Sequence, residues 1–122
     1  KSINPDHVRY ELHRVWVVEA TLKEGTNHIY KKRVFYLDED SWSIAVTDKY
    51  DTRNELWRVS EQHSIIFYDI PMLYGTVEVH HDLQSARYLA MGLRNDQPKV
   101  YERIKRDRAD FTPAGLRGVG TR

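Results

Sequence analysis

The chain has 122 residues, a formal net charge of +1 and 40% hydrophobic residues, which allows one domain with a modest core. The near-neutral charge excludes nucleic-acid binding by broad phosphate neutralisation. The absence of cysteine excludes disulfides, thiolate metal sites and a cysteine nucleophile. No apolar stretch approaches the roughly 20 residues of a membrane-spanning helix. The chain opens on KSINPDHVRY, without Met or a signal peptide, and reads as a processed protein or the C-terminal portion of a longer one.

From Val8 to Asp82 the sequence is a series of strands rich in Val, Ile, Tyr, Trp and Thr, broken by EGTNH, DEDS, DTRN and DIPM. The first predicted strand runs from Val8 to about Leu22 and would reach about 50 Å, long enough to require a bulge or strong coiling. Its alternation places Tyr10, Leu12, Arg14, Trp16, Val18, Ala20 and Leu22 on one face, with Glu11, His13, Val15, Val17, Glu19 and Thr21 on the other. The next strand, Ile29–Leu37, sets Val34 and Tyr36 against Phe35 and Leu37. After Asp38-Glu39-Asp40-Ser41, period-two alternation puts Trp42, Ile44, Val46 and Tyr50 together, opposite Ser43, Thr47 and Lys49. Strands at Leu56–Tyr68, Tyr74–Asp82 and Ala86–Leu93 follow, with Pro71 breaking the run. In the first of these Trp57, Val59, Ile65 and Phe67 share a parity interrupted by Glu61 and His63.

Residues 99–122 form a basic tail: seven Lys/Arg against three Asp/Glu give it +4, leaving about −3 on the rest. Val100–Ile104 fits an edge strand or a helical turn equally well. Thr112 is placed as N-cap of a short helix with Pro113 at its first position. Nothing divides residues 1–122 into more than one domain.

Chemistry-bearing residues are sparse. His80-His81-Asp82 is the most concentrated set, but adjacent strand residues face opposite ways, and chelation would need a bulge plus help from His63 or Glu61. His13 and Glu19 share a face without a completed acid–base set, and ion pairing with Lys31 and Arg33 accounts for such residues more simply. Asp38-Glu39-Asp40 lacks the glycine and distal glutamate of a calcium loop. No catalytic residue, metal ligand or cofactor site is assigned. The aromatic set, with Trp16, Trp42 and Trp57 at its centre, exceeds what one thin sheet needs. It suits either a covering layer or a wall for an apolar ligand.

The strings VRYELHRVWVVEATLKEG, HIYKKRVFYLDEDSW, LWRVSE, HDLQSARYLAMGL and DFTPAGLR resemble the C-terminal part of the domain of unknown function 1329 family, over Pro5 to Arg117. FYLDEDSWSIAVTDKYDTRNELWRV also resembles the strand–Asp-turn–strand unit of the related lipoprotein carriers LolA and LolB and the sigma-E regulator RseB. The resemblance implies an all-β fold with minor helix: a curved antiparallel sheet, an unclosed LolA-like half-barrel. It implies a periplasmic, non-enzymatic protein that holds a lipid or other hydrophobic molecule beside an envelope transport system. Full-length members are much longer, so this chain corresponds to part of the half-barrel. On this reading Trp16, Val18, Tyr36, Trp42 and Ile44 line the ligand site and Arg14 is its polar anchor. The alternative is a protein–protein module that docks a transporter component or self-associates through sheet edges.

Overall fold

The computed structural model describes residues 2–93 and 106–119; the undecided segment Val100–Ile104 and part of the basic tail lie outside them. Six antiparallel strands form one sheet in sequence order: β1 Val15–Thr21, β2 Lys32–Asp38, β3 Ile44–Tyr50, β4 Leu56–Phe67, β5 Met72–Asp82 and β6 Arg87–Met91. The sheet is not closed into a barrel, because β1 and β6 are its two edges. A 3-10 turn at Pro5–His7 precedes it, and a second at Arg108–Phe111 leads into α1, Pro113–Val119. The Thr112 hydroxyl oxygen accepts the Gly115 N–H at 3.1 Å, and Pro113 opens the helix, where its missing N–H costs nothing.

Three hairpin corners share one device. The Asp38 carboxylate accepts the Ser41 N–H at 2.9 Å and the Ser41 hydroxyl at 2.6 Å. Asp51 accepts the N–H groups of Arg53 and Glu55, each at 2.9 Å, and Asp82 accepts that of Ser85 at 2.9 Å. Each corner also carries a residue at positive φ, namely Trp42, Asn54 and Ala86. Charge-assisted bonds to the turn amides offset the roughly 1–2 kcal/mol that a left-handed conformation costs a residue with a Cβ.

The first strand is shorter than its alternation suggests. β1 begins at Val15, opposite Asp38, where β2 ends in its turn; one further backbone bond, from the Glu39 N–H to the Arg14 carbonyl at 3.2 Å, precedes it. Val8–Arg14 instead departs from the edge. His13 Nδ1 lies 3.1 Å from Asp38, and farther back the Tyr10 hydroxyl donates to Glu61 on β4 at 3.2 Å. Both His13 nitrogens face carboxylates, Glu11 and Asp38, and these bonds raise its pKa. This arm therefore crosses one face of the sheet.

Three register shifts redistribute side chains between the faces. Ala45 is the extra residue where Tyr36 pairs Val46 but Leu37 pairs Ile44. Trp57 is extra between the Lys49–Arg58 and Tyr50–Leu56 pairs, and Thr76 between His63–Val77 and Ser64–Gly75. The first shift corrects the expected alternation of β3: Val46 and Tyr50 share one face, while Ile44 joins Thr47 and Lys49 on the other. Among the described residues only Val34 and Val79 are buried apolar side chains, and both belong to the face crossed by the arm.

Gly92, just past β6, has φ +81°, and a Cβ there would lie 2.3 Å from the Thr76 carbonyl oxygen. Gly92→Ala should therefore destabilise by at least about 1 kcal/mol, from strain and contact together, measurable as a reduced denaturation midpoint. Asp82 supplies a pH signature. The Ser85 N–H, and then Arg58, lower its carboxyl from 3.8 to about 2, against the opposing effect of burial. A carboxyl depressed in the folded state stabilises fully above 3.8, and that contribution is lost as pH falls towards about 2. Asp82→Asn should melt below the wild type at pH 7, and the gap should close across that acidic window in thermal melts.

Candidate functional site

The arm leaves one sheet face open, and its side chains fall into rows across the strands. At one end Trp16, Leu37 and Ile44 stand in register. The middle row is Val18, Phe35, Thr47, Ser60, His80 and Leu89. The far row is Ala20, Arg33, Lys49, Arg58, Asp82 and Arg87. A hollow of about 220 Å³ opens on this face between β3, β4 and β5, lined among others by Ile44, Thr47, Lys49, Ser60, Gln62 and His80.

Of the six sequence-predicted ligand residues, Trp16, Trp42 and Ile44 lie at the apolar end, and Val18 opens the adjoining middle row on the same face. Trp42 stacks on Trp16 with ring centroids 6.4 Å apart and planes 14° from parallel, beside Val18 and Ile44. The rings are 67% and 55% exposed, so the stack is not sealed within the core. Trp42 reaches this place from a φ of 58°, rare for a bulky residue and held by the Asp38 corner.

The other two lie elsewhere. Tyr36 projects from the arm-covered face, between Val17 and Val46, and donates to Asp48 at 2.9 Å. That corrects its placement in the same wall as Trp16: adjacent positions on β2 alternate, and Leu37 takes the open face. Arg14 is 87% exposed at the Asp38 corner, with its Nε 3.4 Å from Glu39. It precedes β1 and is directed to Glu39 in the turn rather than standing among the apolar side chains of the sheet.

The polar centre escaped the sequence reading. Lys49 Nζ donates to Ser60 Oγ at 2.6 Å, and that hydroxyl lies 2.7 Å from His80 Nδ1. His80 Nε2 is 3.5 Å from Glu78. Burial, then the charges of Arg33 and Arg58, push the Lys49 pKa down, with Glu78 opposing. Tyr30 adjoins the group, its hydroxyl accepting from Arg58 at 2.9 Å. Counting outward from the turns misses it: continuing from the Leu37–Ile44 and Tyr50–Leu56 pairs matches 33 with 48 and 49 with 57, and the Ala45 and Trp57 bulges shift each pairing by one.

The histidines divide as alternation requires. His80 is on the open face, while His81 pairs Val59 and Tyr88 on the covered one. There Glu61 lies 3.4 Å from His63 and 3.7 Å from His81, but no group of three or more His, Cys, Asp or Glu among the described residues is arranged to hold a metal ion. His13 and Glu19 do not meet: His13 is held by Glu11 and Asp38, and Glu19 pairs Lys32 at 3.4 Å. The ion-pair ladder thus uses Lys32, while Arg33 points to the open face.

Known proteins agree with this architecture. An outer membrane lipoprotein-sorting protein domain assigned in Vibrio parahaemolyticus superposes with a TM-score of 0.52 at 18% identity, covering 84% of this chain and 41% of that one. A DUF1329 family protein from Desulfovibrio piger gives 0.53 at 17% identity, covering 84% and 40%. Likeness at this level establishes the fold, an unclosed antiparallel half-barrel. An uncharacterised protein of Pseudomonas aeruginosa is 50% identical over 121 residues, 98% of this chain and 27% of that protein. This chain thus spans about a quarter of that relative's length. Residues 1–117 match the family described as protein of unknown function DUF1329, and the chain belongs to that family.

Proposed function

We propose that this chain forms part of a non-catalytic carrier that binds a lipid or other hydrophobic molecule in the bacterial periplasm, accessory to an envelope transport system. Trp16, Val18, Trp42 and Ile44 form the ligand wall. The stacked, half-exposed Trp16–Trp42 pair carries this reading. Contiguous exposed rings on one face are a binding feature in soluble proteins, and here backbone strain is retained at the residue that presents one of them. Each large side chain covered by ligand contributes on the order of 1.5–3 kcal/mol, so a few rings give about micromolar affinity after ordering costs. The likeness to a lipoprotein-sorting domain supports the same class of ligand.

The polar centre argues for binding rather than catalysis. Ser60 sits in the middle of β4, which is hydrogen-bonded on both sides. Its neighbouring amides are committed to the ladder and offer no oxyanion hole. A second reading has support of its own: every residue of β1, an edge strand, is exposed, so strand addition by a transporter component or a second copy can occur there.

Trp42→Gly separates fold from function. Glycine accepts the left-handed conformation, so the variant should melt within a few degrees of the wild type. Its affinity for a fluorescent fatty-acid probe should fall about tenfold, as expected for losing one ring contact. Unchanged affinity in a folded variant removes Trp42 from the wall. Native mass spectrometry of protein purified from cells decides between the readings: co-purified lipid supports carriage, and a ligand-free dimer supports the docking module.

A further inference from the structure

The open face is graded along its strands. From the Trp16–Leu37 pair to the Ala20–Arg33 pair is four residues, about 13 Å. Over that distance the side chains change from rings and aliphatics to Arg33, Lys49 and Arg58, followed by Asp82 and Arg87. Cations directly opposite one another repel, and strand pairs normally avoid them. Here they are consecutive on β2, β3 and β4. Asp82 is already occupied by Arg58 at 3.0 Å, Trp57 Nε1 at 3.1 Å and the Ser85 N–H at 2.9 Å. Among the described residues in these rows Glu78 is the other carboxylate; it lies in register with Gln62, beyond the Ser60–His80 row, 3.5 Å from His80 Nε2.

Aromatic rings take up what the carboxylates do not: Arg58 lies 4.2 Å from the Trp57 ring centroid. Arg33, Lys49 and Arg58 stand 5.2, 6.0 and 6.0 Å from the Tyr30 ring centroid. A ring's quadrupole attracts cations but carries no net charge, so the row keeps its positive field. Arg58 commits Nε to Asp82 and Nη1 to Tyr30, and Arg33 Nη2 lies 3.3 Å from His28 Nε2; the remaining guanidinium N–H groups, with the Lys49 ammonium between them, suit oxygen anions. The hollow that adjoins the row is lined by Lys49, Thr47 and Ser60, with Glu61 and Glu78 also on its wall.

We propose that the Arg33–Lys49–Arg58 row receives the head of an amphiphile whose apolar portion lies against the Trp16–Trp42 end, so the preferred ligand is a lipid whose phosphate head carries net negative charge. This rests on the carrier reading and adds the head-group class and the ligand's orientation.

The test is calorimetric titration of the intact protein with dihexanoylphosphatidic acid, dihexanoylphosphatidylcholine and inorganic phosphate, with both lipids below their micelle concentrations. Phosphatidic acid should bind about tenfold tighter than the choline lipid, as charge-assisted bonds to the head require, and the advantage should shrink with salt. Arg33→Gln/Lys49→Gln should abolish the preference, lowering phosphatidic acid affinity to that of the choline lipid, whose head carries no net charge. Glutamine at 49 keeps a donor for Ser60, and the double variant should melt no lower than the wild type because repulsion is relieved. Equal binding of the two lipids overturns the head-group assignment and leaves carriage standing. Binding of neither lipid overturns both. Inorganic phosphate binding as tightly as phosphatidic acid makes this a free-phosphate site and also overturns the proposal. A double variant that melts far lower yet keeps the preference shows the row to be structural, which is equally fatal.

Discussion

The aspartates at the hairpin corners set the register, and register decides everything else about this sheet. Side chains alternate with a period of two, so a one-residue slip between strands would exchange the faces. A thick core normally penalises such slips strongly. Here Val34 and Val79 are the only buried apolar side chains among the described residues, so packing alone gives weak specification. The corners supply what packing does not. Asp38, Asp51 and Asp82 each tie a carboxylate to amides two to four residues on, which fixes turn length and strand alignment. Asp38 and Asp82 do so in the same frame, D-x-x-S, each followed by a left-handed residue.

Much of this was legible because it is local. Turn residues, β-branched runs and the Thr112-Pro113 helix start act over a few positions, and the strands and α1 lie where those signals put them. The bulges were not legible. Ala45 and Trp57 look like ordinary strand residues, and nothing in their own chemistry shows that they are supernumerary. A bulge becomes evident only when both strands are aligned from their turns. Alternation read on one strand therefore assigned Ile44 and Val46 to a single face, although the sheet separates them. The N-terminal arm illustrates the same limit: Val8–Arg14 alternates like a strand, yet β2 ends before it can pair with those residues.

The candidate site divides along this line. Trp16 and Val18 are two apart on an unbulged strand, so their shared face was readable, and the Ala45 bulge brings Ile44 to it. Tyr36 failed because β2 carries apolar residues on both sides, leaving its alternation without a hydrophobic preference to read. Arg14 failed because it lies just beyond the end of the ladder. The cationic row failed for a different reason. Its members are far apart in sequence, each is unremarkable alone, and only the three-strand register makes them neighbours.

The bulges also explain why the graded face can exist. In a strictly alternating β3, Ile44 would share a face with Val46 and Tyr50, concentrating its apolar residues beneath the arm. Inserting Ala45 returns Ile44 to the open face beside Leu37, next to the Trp16–Trp42 stack. Inserting Trp57 keeps Arg58 opposite Lys49 while Trp57 Nε1 and Arg58 Nε converge on the same Asp82 oxygen. One irregularity thus assembles the greasy end and another steadies the cationic end. Each interrupts a regular ladder, and together with the strained Trp42 they place apolar rings in the open and cations side by side. A sheet shaped for stability alone would have little reason to keep these, and they are what the proposed amphiphile-binding surface would use.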